Sequence, residues 1–401
     1  LNLDGLVDEV IHFNQNDLFQ FFRDPRRSLV EKYDQARRFL EPFRSRHFDL
    51  VVDVPADMHM HLLASSLENA GEVRGAILSP ARNLAYSHPE VMLLYTIGLC
   101  REVNRFNLVD LYNVLAGVRP RQKRLHMPVP PEAREFAVRL FGEAGVDPRS
   151  NRVIALQPGA SEERKRWGDT HFARLSRLLV ERLQAKVVLC GSASERPLGE
   201  RISQEAGIPV ISAMGRTAIP ELAALLGQSR VLVTNDTGTM HVAAAVGTPV
   251  IDISVGPVFF RETGPYAEGS LVVEADLECS PCNFNAMCHH FECRDRITPE
   301  MIYRLVEMVL ANVNESHLQP QDFHGVKIHK ALFNDVGRLE FVPVFRYPLS
   351  YYQFLGFFYA HMWEVYYGLR RTPRSSGDIL NEINHLHDLE KSSAIIRKEL
   401  E

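Results

Sequence analysis

One polar turn between an apolar strand and an alanine-rich helix has the residue types of an anion-binding site. The apolar run at 231–233 predicts a buried strand, and residues 242–246 predict the helix that packs back on it. Between them, the N–H groups of Thr237, Gly238 and Thr239 would lie at the helix N-terminus, where the helix dipole favours negative charge. The sequence therefore predicts a phosphate site at this turn.

Three side chains near the turn have predicted roles of their own. Gly238 has no Cβ, so a phosphate oxygen could approach the backbone there. His241 lies one turn further along the helix and could donate a supporting hydrogen bond. Asp236 is expected to cap the helix, to bind sugar or ribose hydroxyl groups, or to do both.

A second loop follows the predicted strand at 152–157. Gly159 allows a tight turn, Ser161 offers a hydroxyl group, and Lys165 offers a positive charge for phosphate. Alone, Lys165 would be interpreted as a solvated surface lysine. Because ligands of parallel α/β sheets bind at the carboxyl ends of the strands, this loop and the Asp236 turn predict one shared site.

Length and composition favour a soluble protein of two or more domains. The chain has 401 residues, of which 45% are hydrophobic and 24% charged. A formal net charge of −5 gives no support for a nucleic-acid partner. The sequence contains no apolar run of membrane-spanning length, and its acidic first ten residues do not match a signal peptide.

Alternating apolar runs and helical patterns predict an α/β fold. The first part has predicted strands at 48–54 and 73–78 and an amphipathic helix at 25–46. After the proline-rich segment 128–131 and a short helix at 131–142, six more strands are predicted at 152–157, 186–189, 209–212, 230–234, 250–254 and 271–274. We therefore expect domains at 1–130 and 131–314, followed by a mostly helical extension at 315–401.

Four cysteines lie within fifteen residues. Cys279, Cys282, Cys288 and Cys293 follow the spacing C-x2-C-x5-C-x4-C, which suits a structural zinc ion bound by thiolates. Local disulfides and free thiols are the alternatives.

The extension contains an aromatic-rich segment at 341–367. One interpretation is a helix at the inner-membrane surface, where aromatic rings and arginines suit the headgroup layer. The other is a helix that packs on the body of the protein or on a second copy of the chain.

Several motifs of the second domain resemble those of the glycosyltransferase family 9 heptosyltransferases. They are Pro-Gly-Ala-Ser at 158–161, Lys-Arg-Trp at 165–167, Met-Gly-Arg-Thr at 214–217, Glu-Leu-Ala-Ala at 221–224, Asn-Asp-Thr-Gly-Thr-Met-His at 235–241 and Gly-Thr-Pro at 247–249. In the first half the resemblance is weaker and rests on residues 48–53 and 71–75. The resemblance implies the GT-B fold, with two Rossmann-like domains facing across a cleft, the acceptor on the first and the donor on the second.

The resemblance also implies the reaction. The family transfers a heptose from an ADP-sugar donor to a lipopolysaccharide-core or similar envelope glycan, inverts the anomeric centre and requires no metal. Carried over to this sequence, Ser161 and Lys165 contact the donor phosphates, Asp236 to Gly238 and His241 hold the pyrophosphate and sugar, and the turn around Met214 reaches the adenine. The expected donor-binding residues are Gly159, Ser161, Lys165, Met214, Asp236, Thr237, Gly238, Thr239 and His241.

A catalytic base is not assigned. The family takes its base from an aspartate in a Gly-Asp loop after its first strand, and this sequence lacks that segment. Asp53 and Asp57 lie in the acceptor-facing region, but a capping or turn-ordering role is the better interpretation of both. The alternatives to an active transferase are a catalytically silent nucleotide-sugar-binding homologue and a GT-B nucleotide-sugar epimerase.

The expected location is the cytoplasm, with peripheral contact to the inner membrane or a homodimer formed through 341–367. The expected partners are the ADP-sugar and the glycan acceptor.

Overall fold

The structure is a computed structural model that describes residues 7–400 except 12–13, 55–57, 68–69, 79–82, 98–99, 121, 284 and 286. The chain divides into two compact units. The first comprises Leu1–Cys100 and Leu111–Pro120, and the second comprises Arg101–Asp110 and Arg121–Glu401.

The first unit combines short strands with helices. Its strands are β1 (Phe48–Val52), β2 (Ala70–Arg74), β3 (Ala76–Leu78) and β4 (Leu84–Tyr86), and β1 pairs in parallel with β2 while β3 and β4 are antiparallel. Its helices are α1 (Gln15–Arg23), α2 (Leu29–Arg44), α3 (Met58–Ser65) and α4 (Pro89–Ile97), and α5 (Leu108–Leu115) is shared with the second unit.

The predicted strand at 73–78 is divided in the structure. Gly75 separates β2 from β3 and lies directly against Asp53, since a Cβ at Gly75 would be 2.4 Å from the Cβ of Asp53. The predicted amphipathic helix is present as α2, where Ser28 and Glu31 form a capping box.

The second unit is built on one eight-stranded sheet with the strand order β12-β11-β10-β9-β8-β5-β6-β7. The strands from β5 to β10 are parallel, and all six correspond to predicted strands. Their bounds are β5 (Val153–Gln157), β6 (Lys186–Leu189), β7 (Ile211–Ser212), β8 (Val231–Asn235), β9 (Val250–Ser254) and β10 (Leu271–Ala275).

Helices cover both faces of this sheet. They are α6 (Pro131–Glu143), α7 (Asp169–Leu183), α8 (Arg196–Ala206), α9 (Ile219–Leu226), α10 (Gly238–Val246), α11 (Phe260–Thr263), α12 (Glu292–Arg296) and α13 (Pro299–Ala311). Alternate residues of β8 enter different cores: Val231 and Val233 pack with α7, α8 and α13, whereas Leu232 packs with α6, α9 and α10. Burial on both faces explains the nearly continuous apolar runs in the sequence.

The C-terminal region contains strands as well as the expected helices. Strands β11 (Val326–Phe333) and β12 (Leu339–Pro343) continue the main sheet in antiparallel fashion. Helices α14 (Tyr351–Tyr366), α15 (Ser376–Leu386) and α16 (Leu389–Leu400) follow.

Residues 351–366 of the aromatic-rich segment form helix α14, as expected, whereas residues 341–343 belong to strand β12. The inner side of α14 is covered by the C-terminal region itself. Phe357 is buried with Leu349, Ile379 and Ile383, whereas Tyr366 on the same helix remains 58% exposed. Within the described residues, no helix has both the length and the apolar character needed to cross a membrane.

Candidate functional site

The turn between β8 and α10 joins a buried strand to a helix, as the sequence predicts, but the N-cap residue is Thr237, so the expected cap at Asp236 is wrong. All five residues of β8 are buried, and Thr237 takes an extended conformation immediately before the helix begins at Gly238. The Thr237 side chain does not cap the helix, and its hydroxyl lies 3.2 Å from that of Thr234. The first N–H groups of α10 therefore have no acceptor within the helix and are available to an anion.

Glycine at position 238 is not required by protein packing. A Cβ there would meet no protein atom within 4 Å. The space in front of the first helical turn is therefore open, as a phosphate site needs.

The predicted loop after β5 lies next to this turn because Asn235 binds it. The Asn235 side-chain amide donates to the carbonyl oxygens of Pro158 and Gly159 at 2.8 and 3.1 Å, and its Oδ1 accepts from the Trp167 N–H at 3.0 Å. The Trp167 ring is fully buried and donates from Nε1 to the Ile297 carbonyl at 2.7 Å. Asn235 belongs to the motif at 235–241 but was not predicted as a site residue.

This arrangement brings Lys165 and Asp236 together. The Lys165 Nζ lies 3.4 Å from Asp236 Oδ2, and the two side chains are only 17% and 10% exposed. Lys165 is thus not a solvated surface lysine. Its ammonium group lies beside the carboxylate that immediately precedes the helix N-terminus.

The other predicted donor residues differ in their surroundings. Gly159 is buried, and a Cβ there would be 1.6 Å from Glu195 Oε1, so a larger residue would displace Glu195. Ser161 is exposed in the same loop. Thr239 donates from its hydroxyl to Gln157 Oε1 at 3.2 Å, which joins the first turn of α10 to the end of β5.

His241 and Met214 lie further from open space. Burial lowers the pKa of His241, and the charge of Asp236 opposes this shift. The Met214 side chain is 1% exposed and packs against Gly199, so it belongs to the core rather than to an open ligand surface. The polypeptide around it remains at the carboxyl end of β7.

A buried carboxylic acid that the sequence analysis missed lies beside this site. In the strand register, Gln157, Thr234 and Asp252 face one another across β5, β8 and β9, and all three are buried. Neither Asp252 oxygen has a hydrogen-bond partner among the described residues. Burial raises the pKa of Asp252 well above its usual value, Asp236 raises it further, and Lys165 opposes the shift. The surroundings of Asp252 therefore favour its neutral form. The sequence signal that could have revealed Asp252 is the presence of an acidic residue within the apolar run of β9.

Of the two predicted acceptor-side aspartates, the structure describes Asp53, and its carboxylate is enclosed. Asp53 is 6% exposed and forms a hydrogen bond with Nδ1 of the equally buried His61. This contact supports the structural interpretation of Asp53. Asp57 lies outside the described residues.

Three cysteines of the predicted zinc site lie in the loop between β10 and α12, the fourth, Cys293, lies in the first turn of α12, and all four are free thiols. Burial raises the pKa values of the Cys282 and Cys293 thiols, and each is raised further by the other cysteines of the loop. Across the residues that the structure describes, however, no three His, Cys, Asp or Glu side chains converge as a metal site. The zinc site is therefore not confirmed.

A family model agrees with these motifs. The model for glycosyltransferase family 9 (heptosyltransferase) matches residues 98–289. This part of the chain is therefore similar to glycosyltransferase family 9. The match covers the loop after β5, the turn between β8 and α10, and most of the cysteine-rich segment.

Curated heptosyltransferases match part of the chain. Lipooligosaccharide heptosyltransferase 2 of Haemophilus influenzae is 33% identical over 169 residues, which is 40% of this chain and 47% of that protein. The protein of the same name from Campylobacter jejuni is 29% identical over 173 residues, 42% of this chain and 53% of the relative. The chain thus spans about half the length of these relatives.

Two solved structures of family 9 share the fold. A family 9 glycosyl transferase from Veillonella parvula has a TM-score of 0.54 and 18% identity, and the alignment covers 72% of this chain and 81% of that one. The ADP-heptose lipopolysaccharide heptosyltransferase II of Escherichia coli has a TM-score of 0.50 and 20% identity, covering 70% and 82%. These likenesses confirm the α/β fold class of GT-B type, and this chain also has a helical C-terminal region.

Proposed function

We propose that the protein is a glycosyltransferase that moves a heptose or related sugar from an ADP-sugar to a lipopolysaccharide-core or other envelope glycan, with inversion at the anomeric carbon. The observation that carries this proposal is the position of Lys165, 3.4 Å from Asp236 and next to the open N-terminus of α10. The similarity of residues 98–289 to glycosyltransferase family 9 supports the reaction class.

The proposed chemistry depends on stabilising the leaving group. In the transfer, the bond between the anomeric carbon and the donor diphosphate breaks while the acceptor hydroxyl oxygen bonds to the opposite face of that carbon. Negative charge develops on the diphosphate. Lys165 and the first N–H groups of α10 would stabilise this charge in a largely buried setting, where fixed donors act most strongly.

Asp236 has two roles in this proposal. Without ligand it balances the charge of Lys165, and with donor bound it would accept hydrogen bonds from sugar hydroxyl groups. Thr239 and Gln157 hold the first turn of α10 from behind, which fixes the direction of its N–H groups.

The donor nucleotide and the acceptor are proposed from the relatives. The E. coli structure is of an enzyme named for ADP-heptose and lipopolysaccharide, and the H. influenzae relative is named for lipooligosaccharide. The corresponding place of action would be the cytoplasmic side of envelope glycan assembly. We assign no catalytic base, because Asp53 is enclosed with His61.

Calorimetric titration with ADP tests the donor site. Lys165→Ala should weaken ADP binding by about 1.5 to 3 kcal/mol, the usual contribution of a charge-assisted hydrogen bond. Lys186→Ala, which removes an exposed lysine at the opposite end of β6, serves as the control and should bind like the wild type. Equal ADP affinity in both variants would refute the site.

Turnover is tested separately. Release of ADP from ADP-heptose in the presence of a lipopolysaccharide-core acceptor is expected for the transferase. Tight ADP-heptose binding without release across a panel of such acceptors would instead identify a nucleotide-sugar-binding homologue.

A further inference from the structure

The C-terminal region encloses a cavity that is separate from the proposed donor site. It has a volume of about 340 Å³ and lies between the β11–β12 turn, α14 and α15, with Arg105 from the start of the second unit. Four arginines and four carboxylates line it, together with His361 and Phe357. Its size suits a small ligand.

Three of the four arginines use their hydrogen-bonding capacity on the carboxylates. Because the pairs that Arg338 and Glu364 form are largely enclosed, they make a fixed wall, whereas Asp335 is 68% exposed and the Arg374–Glu382 pair is partly exposed. The pairs are Arg338 with Glu340 and Glu364, Arg370 with Asp335 and Glu364, and Arg374 with Glu382.

Arg105 is different from the other three. It is 6% exposed, yet its guanidinium group makes no hydrogen bond to any described residue, and the nearest carboxylate oxygen, Glu340 Oε2, is 4.0 Å away. The guanidinium carbon lies 3.6 Å from the centre of the Phe357 ring. Stacking of this kind uses the face of the guanidinium group and leaves its N–H edge for a ligand. Burial lowers the pKa of Arg105 to about 10, and Glu340 only partly opposes this shift.

His361 supplies a second unused donor. Its Nε2 accepts a hydrogen bond from the Arg374 backbone N–H at 3.0 Å, so the ring proton is on Nδ1. That Nδ1 atom is buried and has no hydrogen-bond partner among the described residues; Glu364 Oε2 is 4.0 Å from it. Buried polar groups normally have partners, which makes both Arg105 and His361 candidates for ligand contacts.

The carboxylate oxygens that line the cavity restrict the chemical class of the ligand further. Glu340 Oε2 faces Arg105, and Glu382 is bonded to Arg374 through Oε2, so the wall also offers carboxylate oxygens to a hydrogen-bond donor. A bare anion would use the donors only. A ligand with both an anionic group and hydroxyl groups would satisfy both sets.

We propose that this cavity binds a small hydroxylated oxyanion, a sugar phosphate or a sugar acid, whose anionic group contacts Arg105 and His361. The planar N–H edge of Arg105 matches the two oxygens of a carboxylate or phosphate. The hydroxyl groups would donate to the carboxylates, and Phe357 holds the guanidinium plane in place.

The test uses the full chain in the Lys165→Ala background, so that anions do not bind at the proposed donor site. Glucose 6-phosphate represents the sugar phosphates, gluconate represents the sugar acids, and glucose is the uncharged control. Binding is measured by calorimetry and by the shift in melting temperature. Arg105→Gln is compared with Arg174→Gln, which removes an exposed arginine on α7, and circular dichroism checks that each variant folds.

The proposal expects one or both anions to bind, glucose to bind at least tenfold more weakly, and Arg105→Gln to weaken anion binding at least tenfold while Arg174→Gln does not. If only one of the two anions binds, the result shows whether the ligand is a sugar phosphate or a sugar acid. If Arg105→Gln does not fold, Arg105→Lys keeps the charge but not the planar edge, and a similar loss is expected. Failure of both anions to bind at millimolar concentration, or equal binding in a folded Arg105 variant, would overturn the proposal.

Discussion

Replacement of Asn235 by alanine should affect both the stability of the second unit and its affinity for ADP. The Asn235 side chain is fully buried and joins the end of β8 to both ends of the loop that carries Lys165. Alanine fits the same space but cannot replace any of these hydrogen bonds. The backbone groups of Pro158, Gly159 and Trp167 would lose their partners in a buried setting.

The expected cost follows from the number of contacts. Asn235 makes three hydrogen bonds of 2.8 to 3.1 Å to these groups. Each contributes about 1 kcal/mol net, and a buried group left without a partner costs about 1 to 3 kcal/mol. We therefore expect the free energy of unfolding to fall by about 3 to 5 kcal/mol, a large part of a typical domain's stability.

Urea unfolding followed by tryptophan fluorescence measures this change, because Trp167 lies at one of the lost contacts. Ser161→Ala, an exposed change in the same loop, should alter stability by less than about 0.5 kcal/mol. ADP affinity should fall about tenfold in Asn235→Ala at temperatures where the protein is folded, since Lys165 is no longer held in place. A loss of less than about 1 kcal/mol, with ADP affinity unchanged, would refute the reasoning.

Three other predictions concern separate parts of the second unit. Asp252→Asn should change ADP affinity at pH 7.5 by less than about threefold, because burial raises the pKa of this acid and so favours the neutral form, whose shape the amide shares. A large loss of affinity in calorimetry would show that the ionised form is needed. If the four clustered cysteines bind zinc, protein purified without chelator should contain about one zinc ion per chain. The double variant Cys279→Ser, Cys282→Ser should lose this zinc. Elemental analysis that shows far less than one metal ion per wild-type chain would exclude the site. Burial lowers the pKa of His387 from 6.5 to about 3, so the unfolded state binds a proton more readily than the folded state between these values. The stability contribution of neutral His387 is therefore complete above pH 6.5 and decreases as the pH falls through this window. Urea unfolding at a series of pH values should show that the free energy of unfolding falls less with decreasing pH in His387→Asn, whose side chain can still donate to the Tyr347 carbonyl. The same pH dependence in the variant and the wild type would contradict this role of His387.

The parallel part of the sheet could be predicted from the sequence because its signal is local. Strands buried on both faces require apolar residues at nearly every position, and β5, β6, β8, β9 and β10 all show such runs. The residues at 237–239 likewise indicate a helix N-terminus, since an open anion site there depends on backbone groups rather than on distant partners.

Strands β11 and β12 were not predicted, for a physical reason. The aromatic and polar residues of 326–343 alternate in burial less regularly than a simple two-sided strand, and their pairing depends on the free edge of β10. Pairing with an edge that is distant in sequence leaves little local signal. The aromatic helix α14 was predicted from its residue types, but only the tertiary structure decided that α15 and α16 cover its inner side.

The sequence by itself determined the chemical groups of the candidate site: the glycine, lysine, aspartate and threonines of two loops, and the ends of the strands that carry them. Only the tertiary structure decided that Lys165 lies beside Asp236, that Asn235 joins the two loops, and that Asp252 is a buried acid with a raised pKa beside them. The physical reason is that the distance between two side chains, and the polarity of their surroundings, depend on residues that are far apart in the sequence. Lys165 and Asp236 are 71 positions apart in the sequence, and no local pattern fixes the distance between them, whereas the strand order places β8 directly beside β5.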